Sequence, residues 1–407
     1  LNYRSIASAL IVAAIALCAT AATAATAIAT AAGPTSAVAP PVAHRLSDVY
    51  CATARNCMAV GQDLNGLRQA GGPLAETWNG TTWRTVGMKL PSGATGGALG
   101  RISCLSAKHC IAVGFFSRSG GSQFTLAETW NGRTWTPAQP PAPGGVNTGL
   151  TGVSCKSAVN CVAVGAYTQN TSGGPTAAPL AETWNGKKWT ETRLPVPRGN
   201  LFTGLDAVSC TSAASCVATG TSMTNSASVA LIESWNGRTW SKMGAAPVPG
   251  SSGGELTGVS CASAKSCAAV GFASFAAKGL GGLTEIWNGK TWTLASVRWP
   301  KGTSNELLSG VSCAAANRCM AVGTIDSNLN AMSNTGKAAA VTWNGKAWAV
   351  TNVPAPGKGK ASLFRGVTCL SGTSCVAVGQ LGPARSTNGT GLSGFWNGKS
   401  WRLVAAK

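Results

Sequence analysis

The chain is short of nearly every group that catalysis draws on. Its 407 residues include 12 acids, 2 histidines and 3 tyrosines, and charged side chains make up 11 % of the total against roughly 25 % in ordinary globular domains. Long runs of charge are also missing. Lysines and arginines number 32 and set the formal net charge at +20, but they are spread over the chain, so they favour anionic surfaces or simple solubility without specifying a nucleic-acid target. Helical periodicity is absent, which excludes a helical bundle, and a hydrophobic fraction of 44 % excludes a disordered chain.

One long uncharged run exists. It follows Arg4 and extends from Ile6 to Ala32, and its most apolar part, Ile6 to Leu17, has the length and flank of an export-signal core rather than of a membrane span. Residues 1–39 are read as signal peptide and linker, cleaved somewhere between 32 and 39, residues 40–45 as an N-terminal linker, and 46–407 as the folded domain. An uncleaved anchor is the alternative. The expected localisation is secreted and extracellular, with association to the cell envelope open and no membrane span once the signal, with Cys18, is removed.

What the chain has in quantity is cysteine and tryptophan, 15 of each. Fourteen cysteines form pairs six residues apart: Cys51/Cys57, Cys104/Cys110, Cys155/Cys161, Cys210/Cys216, Cys261/Cys267, Cys313/Cys319 and Cys369/Cys375. Their first members advance from 51 to 369 in six steps of about 53 residues. Between pairs, Trp-Asn-Gly recurs at Trp78, Trp130, Trp184, Trp235, Trp287, Trp343 and Trp396, each followed five residues on by a second tryptophan.

Each unit reads as four short strands, such as LTGVSC (150–155), CVAVG (161–165), LAETW (180–184) and KKWTETRL (187–194). Four antiparallel strands repeated at this period are the pattern of propeller blades. The expected fold is all-β: a seven-bladed β-propeller of four antiparallel strands per blade, closed by packing blade 7 on blade 1 with no strand shared between the termini. A linear β-solenoid is the alternative. The cysteine spacing is not that of a zinc knuckle, only His44 and His109 are at hand, and an exported protein meets oxidising surroundings. One disulfide per blade is therefore expected, stapling strand one to strand two for roughly 2 kcal/mol, with no metal and no cofactor.

Asn-Gly between β-formers reads as a two-residue type I′ turn. In that register Trp130 faces Arg133 and Glu128 faces Trp135, on one face of the hairpin. The cation recurs as Lys187, Arg238, Lys290, Lys346 and Lys399, with Thr81 the exception; the acid recurs as Glu76, Glu182, Glu233 and Glu285 but gives way to Val341 and Gly394. These groups are either seven sugar-stacking sites or scaffold, with tryptophans covering the blade and Glu and Lys/Arg bridging over them. Regularity favours scaffold.

The stretches of the type ETWNGRTW (128–135) are similar to the Asp-box repeat of sialidase-type propellers, in which a turn between the third and fourth strands ends on an aromatic. Asn131 stands where that family has aspartate, and the spacing to Trp135 is one residue shorter. The whole unit resembles secreted bacterial propeller-repeat proteins over residues 46–407, which implies the fold and little chemistry. Sialidases generally have six blades and use an arginine triad with a tyrosine nucleophile; after the signal this chain has only Tyr50 and Tyr167. Kelch-type copper oxidases are similar in architecture but need two histidines and two tyrosines at the metal, which His44 and His109 hardly supply.

Cysteine loops and Asn-Gly turns should share one face of the ring, and the variable two-to-three loops and inter-blade linkers the other. Recognition normally resides in variable loops on a rigid scaffold. Departures from the repeat there single out Tyr50; Asp48, Arg101, Asp206 and Arg365, which would ring the mouth of the axial channel if strand one is innermost; and Trp299, in a linker between Arg298 and Lys301. Asp48 pairing with Arg101 or Arg365 to close the ring, and Trp299 covering a seam, are the structural alternatives. Catalysis finds little support, since Asp48 and Asp206 lie three blades apart and glycoside hydrolysis needs two carboxyls within roughly 5–10 Å. The expected function is non-enzymatic binding, by a monomer, of an anionic or neutral glycan, a cell-wall polymer or a protein. A glycoside hydrolase or polysaccharide lyase on the same scaffold is the rival.

Overall fold

Strand two of each unit is a continuous apolar run because it is buried on both faces. In the computed structural model, Ala163 of blade 3 packs with Ile111 and Val113 of blade 2, whereas Val162 and Val164 pack with Leu205 and Leu231 of blade 4. Alternation along one strand thus serves two interfaces. The described residues are 43–405 without 65–70, 144–146, 172–173, 193, 197–200, 226, 277–278, 327–335, 356 and 384–388. The segment read as an export signal and parts of six of the two-to-three loops lie outside them.

The chain forms seven blades, at residues 44–86, 94–138, 148–192, 202–243, 253–294, 306–351 and 360–405. Each has four antiparallel strands in sequential order, as in blade 3 with Thr148–Ser157, Asn160–Thr171, Gly174–Trp184 and Trp189–Thr192. Seven hydrophobic clusters occupy the seven blade–blade interfaces. One joins Val376 and Val378 of blade 7 to Leu46, Val49 and Trp78 of blade 1, and Trp83 Nε1 donates to Ser393 Oγ across the same seam at 2.9 Å. The ring is closed by packing, as expected, and a linear solenoid is excluded.

All seven disulfides form: Cys51–Cys57, Cys104–Cys110, Cys155–Cys161, Cys210–Cys216, Cys261–Cys267, Cys313–Cys319 and Cys369–Cys375. Each joins directly paired residues of strands one and two. The staples reach into the core through at least one half of every pair. Cys57, Cys110, Cys161, Cys216, Cys267, Cys319 and Cys375 are buried, one in each blade–blade cluster, because they belong to strand two. Their Sγ atoms lie 3.6–3.9 Å from the carbonyl oxygen four residues back. A sulfur in a disulfide has no hydrogen to donate, so these are packing contacts rather than hydrogen bonds.

The Asn-Gly turn differs from expectation. Trp130 pairs with Trp135 and Glu128 with Pro137, so the loop has four residues, and only its glycine takes positive φ, 94° at Gly132. Asparagine closes the loop with its side chain: Asn131 Oδ1 accepts the N–H groups of Arg133 and Thr134, both at 2.9 Å. Cross-strand tryptophan pairing sets this register, because two facing indoles bury more area than an indole facing a cation. The turn glycines touch the cysteine loops, as Gly132 does Lys108, so both lie on one face.

The repeat glutamates do not bridge to lysine or arginine over the tryptophans. Glu128, Glu182 and Glu285 are fully buried, and Glu76 and Glu233 nearly so. Two anchor the chain entering their blade: Glu285 Oε2 accepts the Ala246 N–H at 2.9 Å, and Glu76 Oε1 lies 2.8 Å from His44 Nδ1. In blade 7 the missing glutamate is compensated, since the Phe364 ring fills the space over Gly394 and packs on Trp401.

Candidate functional site

The glycine closing each CVAVG-type run explains how the axis is built. A Cβ on Gly323 would strike the Leu307 carbonyl, and the six equivalent glycines face strand one in the same way. Strand one carries an extra, unpaired residue opposite this glycine: Ser47, Gly100, Thr151, Asp206, Thr257, Ser309 or Arg365. Such a bulge bends a strand and re-aims its side chains. Strand one is innermost, so the bulges form a belt around the axis. Thr257 Oγ1, for example, reaches the Leu308 carbonyl of the next blade at 2.6 Å.

The residue after the bulge is Gly or Ala in five blades because the neighbouring inner strand runs against it; a Cβ on Gly310 would lie 2.8 Å from the Arg365 carbonyl. Blades 1 and 2 place Asp48 and Arg101 at this position. Asp48 Oδ2 accepts the Ile102 N–H at 3.1 Å, and its other oxygen rests against Gly366, so one carboxylate contacts blades 7, 1 and 2. Arg101 crosses the channel, its Nη2 donating to the carbonyls of Thr257 at 3.3 Å and Ser309 at 3.1 Å. Asp48 is thus held by an amide rather than by an ion pair with Arg101 or Arg365.

A second belt lies closer to the cysteine loops. Ser103, Ser154, Ser209, Ser260 and Ser312 each accept the N–H of the first cysteine of the following blade, at 2.9–3.0 Å. Tyr50 and Thr368 take this position in blades 1 and 7. Between the two belts is a polar cavity of about 280 Å³, lined by the inner strands of all seven blades and including Asp48, Tyr50, Arg101, Ser103 and Thr368.

The four charged residues expected at the channel mouth therefore sit midway along strand one. Asp48 and Arg101 join Tyr50 at the cavity, on the cysteine-loop side of the bulges, while Asp206 and Arg365 do not line it. Trp299 is elsewhere, its indole laid over Gly282 and packed on the cluster between blades 5 and 6. On the variable-loop face a separate groove of about 600 Å³ runs between the blade-1 loop and the following linker, with Asp63, Met88, Lys89 and Leu90 among its walls. No group of three His, Cys, Asp or Glu that could hold a metal ion occurs among the described residues.

Burial dominates the electrostatics. It raises the Asp48 carboxyl against the pull of Arg101 and two backbone amides. It also raises Asp206, against the pull of Arg101, and Glu255, which the neighbouring Asp206 raises further. Arg365 is pushed down to about 10 by burial, with Arg45 and Arg101 adding repulsion. Arg45 and Glu255 went unrecognised as channel residues in the sequence. Each precedes the strand-one leucine, where other blades have Ala98, Gly149, Gly204, Leu307 or Leu363, and a charge at that small or apolar position was the available signal.

No protein-family model matches the chain, and no curated protein sequence does. Among solved structures it is similar to the six-bladed fucose-recognising lectin of Aleuria aurantia (12 % identity, 75 % of this chain and 95 % of that one, TM-score 0.43). A Hadza microbial sialidase (10 % identity, 90 % and 66 %, TM-score 0.44) and the Pyrococcus horikoshii acylaminoacyl peptidase (10 % identity, 89 % and 52 %, TM-score 0.49) are also similar; the match spans about half of the peptidase. The described part of the chain is a seven-bladed, disulfide-stapled β-propeller.

Proposed function

We propose that the protein is an exported, non-catalytic binding propeller for a carbohydrate. The observation that carries this is the axial cavity, the place where the sevenfold repeat is broken by polar side chains. Asp48, Tyr50 and Arg101 replace its glycines and serine, in a space near the lower size limit of small-ligand sites. Acceptor, hydroxyl and guanidinium groups around one cavity suit a polyhydroxy ligand such as the terminal residue of a neutral or anionic glycan. The repeat glutamates are buried inside the blades, which leaves few carboxylates for hydrolysis. Export is supported by the N-terminal run and by the disulfides, which persist in oxidising compartments.

Glycan-array screening followed by calorimetry tests this reading. Tyr50→Phe should weaken binding about tenfold, the loss of roughly one hydrogen bond, and no screened saccharide should be hydrolysed. Binding that follows Trp299→Ala instead would move the site to the variable-loop face and toward a wall polymer or protein. A second reading, glycoside hydrolysis, is favoured by one observation: Asp206 and Glu255 lie on the neighbouring inner strands of blades 4 and 5, and neighbouring carboxyls with separated protonation can act as acid and base. Turnover lost on Glu255→Gln would establish it and remove the first.

A further inference from the structure

At the seam where the ring closes, two cations face a shortage of counter-charge. Arg365 is the bulge residue of blade 7, and Arg45 lies two residues before the bulge of blade 1, on the inner strands that meet across this seam. The Nε atoms of both are buried without a hydrogen-bond partner. Arg101 adds a third guanidinium nearby, but its head is held at blades 5 and 6.

The carboxylates of the channel are used elsewhere. Asp48 accepts the Ile102 amide, and Asp206 and Glu255 belong to blades 4 and 5, where burial favours their neutral forms. The inner strands of blades 3 and 6 contribute Thr151, Gly152, Ser309 and Gly310 to the bulge belt, none of them charged. The serine–cysteine belt is also not built here, because Tyr50 and Thr368 stand in its place. A buried guanidinium Nε–H without an acceptor is costly, and guanidinium forks are shaped for oxyanions.

We propose that the closing seam binds one small inorganic oxyanion between Arg45 and Arg365, as a clasp that neutralises the two guanidinium groups and joins blade 7 to blade 1. This site is independent of carbohydrate binding at the cavity and would exist if that reading failed.

The test uses the whole chain and inorganic sulfate as probe. At constant ionic strength, low-millimolar sulfate should raise the Tm saturably, by about 2–4 °C, and equilibrium dialysis should find one sulfate per chain. Arg365→Met should abolish the response and, without sulfate, melt at or above the wild-type temperature, because one of two repelling cations is gone. If that variant does not fold, Arg45→Met carries the same expectation. Absence of bound sulfate on the wild-type chain would overturn the proposal, as would a methionine variant that still responds or an equal response to acetate.

Discussion

The outer edge of the ring and its axis obey different rules. At the outer edge the seven blades are near copies: the tryptophan pairs have ring centroids 5.4–5.6 Å apart in every blade. Each turn asparagine likewise accepts the same two amide N–H groups, at 2.8–2.9 Å. Around the axis the same backbone bulge carries Ser, Gly, Thr, Asp, Thr, Ser and Arg in turn. Outer contacts join residues a few positions apart within one unit, so every copy must satisfy the same local geometry. Axial contacts join residues of different units, and there only the backbone shape is common to all.

The contrast can be broken most severely at the bulge glycine. Gly323→Val would drive a side chain into the Leu307 carbonyl, and a loss of at least about 4 kcal/mol, read as failure to accumulate folded protein, is expected. Within a single unit, removing one staple by replacing Cys313 and Cys319 with serine should cost about 2 kcal/mol, measured as a lower denaturation midpoint with the remaining blades intact.

A smaller, pH-dependent effect is expected inside a blade. Burial, with Glu191 adding repulsion, lifts Glu182 to about 8 from the ordinary 4.5. The folded state then holds a proton that the unfolded state releases, so its contribution to stability falls as pH rises from about 4.5 to about 8. Glu182→Gln should melt like the wild type at the acid end and above it at pH 8, and equal melting at both ends would show that the carboxyl is not so perturbed.

The smallest prediction sharpens the seam chemistry. Trp240 and Trp401 donate Nε1 to Thr192 and Thr351 of the preceding blade, at 3.1 and 2.9 Å, whereas Trp135 Nε1 is buried without a partner. Val86 occupies the place in blade 1 that threonine takes in blades 3 and 6. Val86→Thr changes little in shape and supplies the acceptor, so it should stabilise by about 1 kcal/mol; the reverse change, Thr351→Val, should destabilise by as much or more.

Much of this was legible in the sequence. Seven units, four strands in each, the cysteine partners and the face shared by cysteine loops and turns all follow from spacing within a unit. The hairpin register was not, because Asn-Gly suggests a two-residue turn when taken alone; the Trp-x4-Trp spacing, taken as a cross-strand pair, would have shown four. The glycine recurring after every AVG-type run was a further clue, since a glycine inside a strand often marks a bulge. Burial of the repeat glutamates was hidden because a charged residue beside tryptophan on an outer strand ordinarily points to water.

By itself the sequence determined the repeat, and with it the strand order, the disulfides and the number of units, because each depends on spacings and interactions that close within some fifty residues. Only the tertiary structure decided where the exceptions meet: that Asp48 touches three blades, that Arg101 reaches across to Thr257 and Ser309, that Asp206 lies near Glu255, and that Arg45 and Arg365 share the closing seam. Closing the ring sets residues from distant units around one axis, and no local spacing encodes which of them will face each other there.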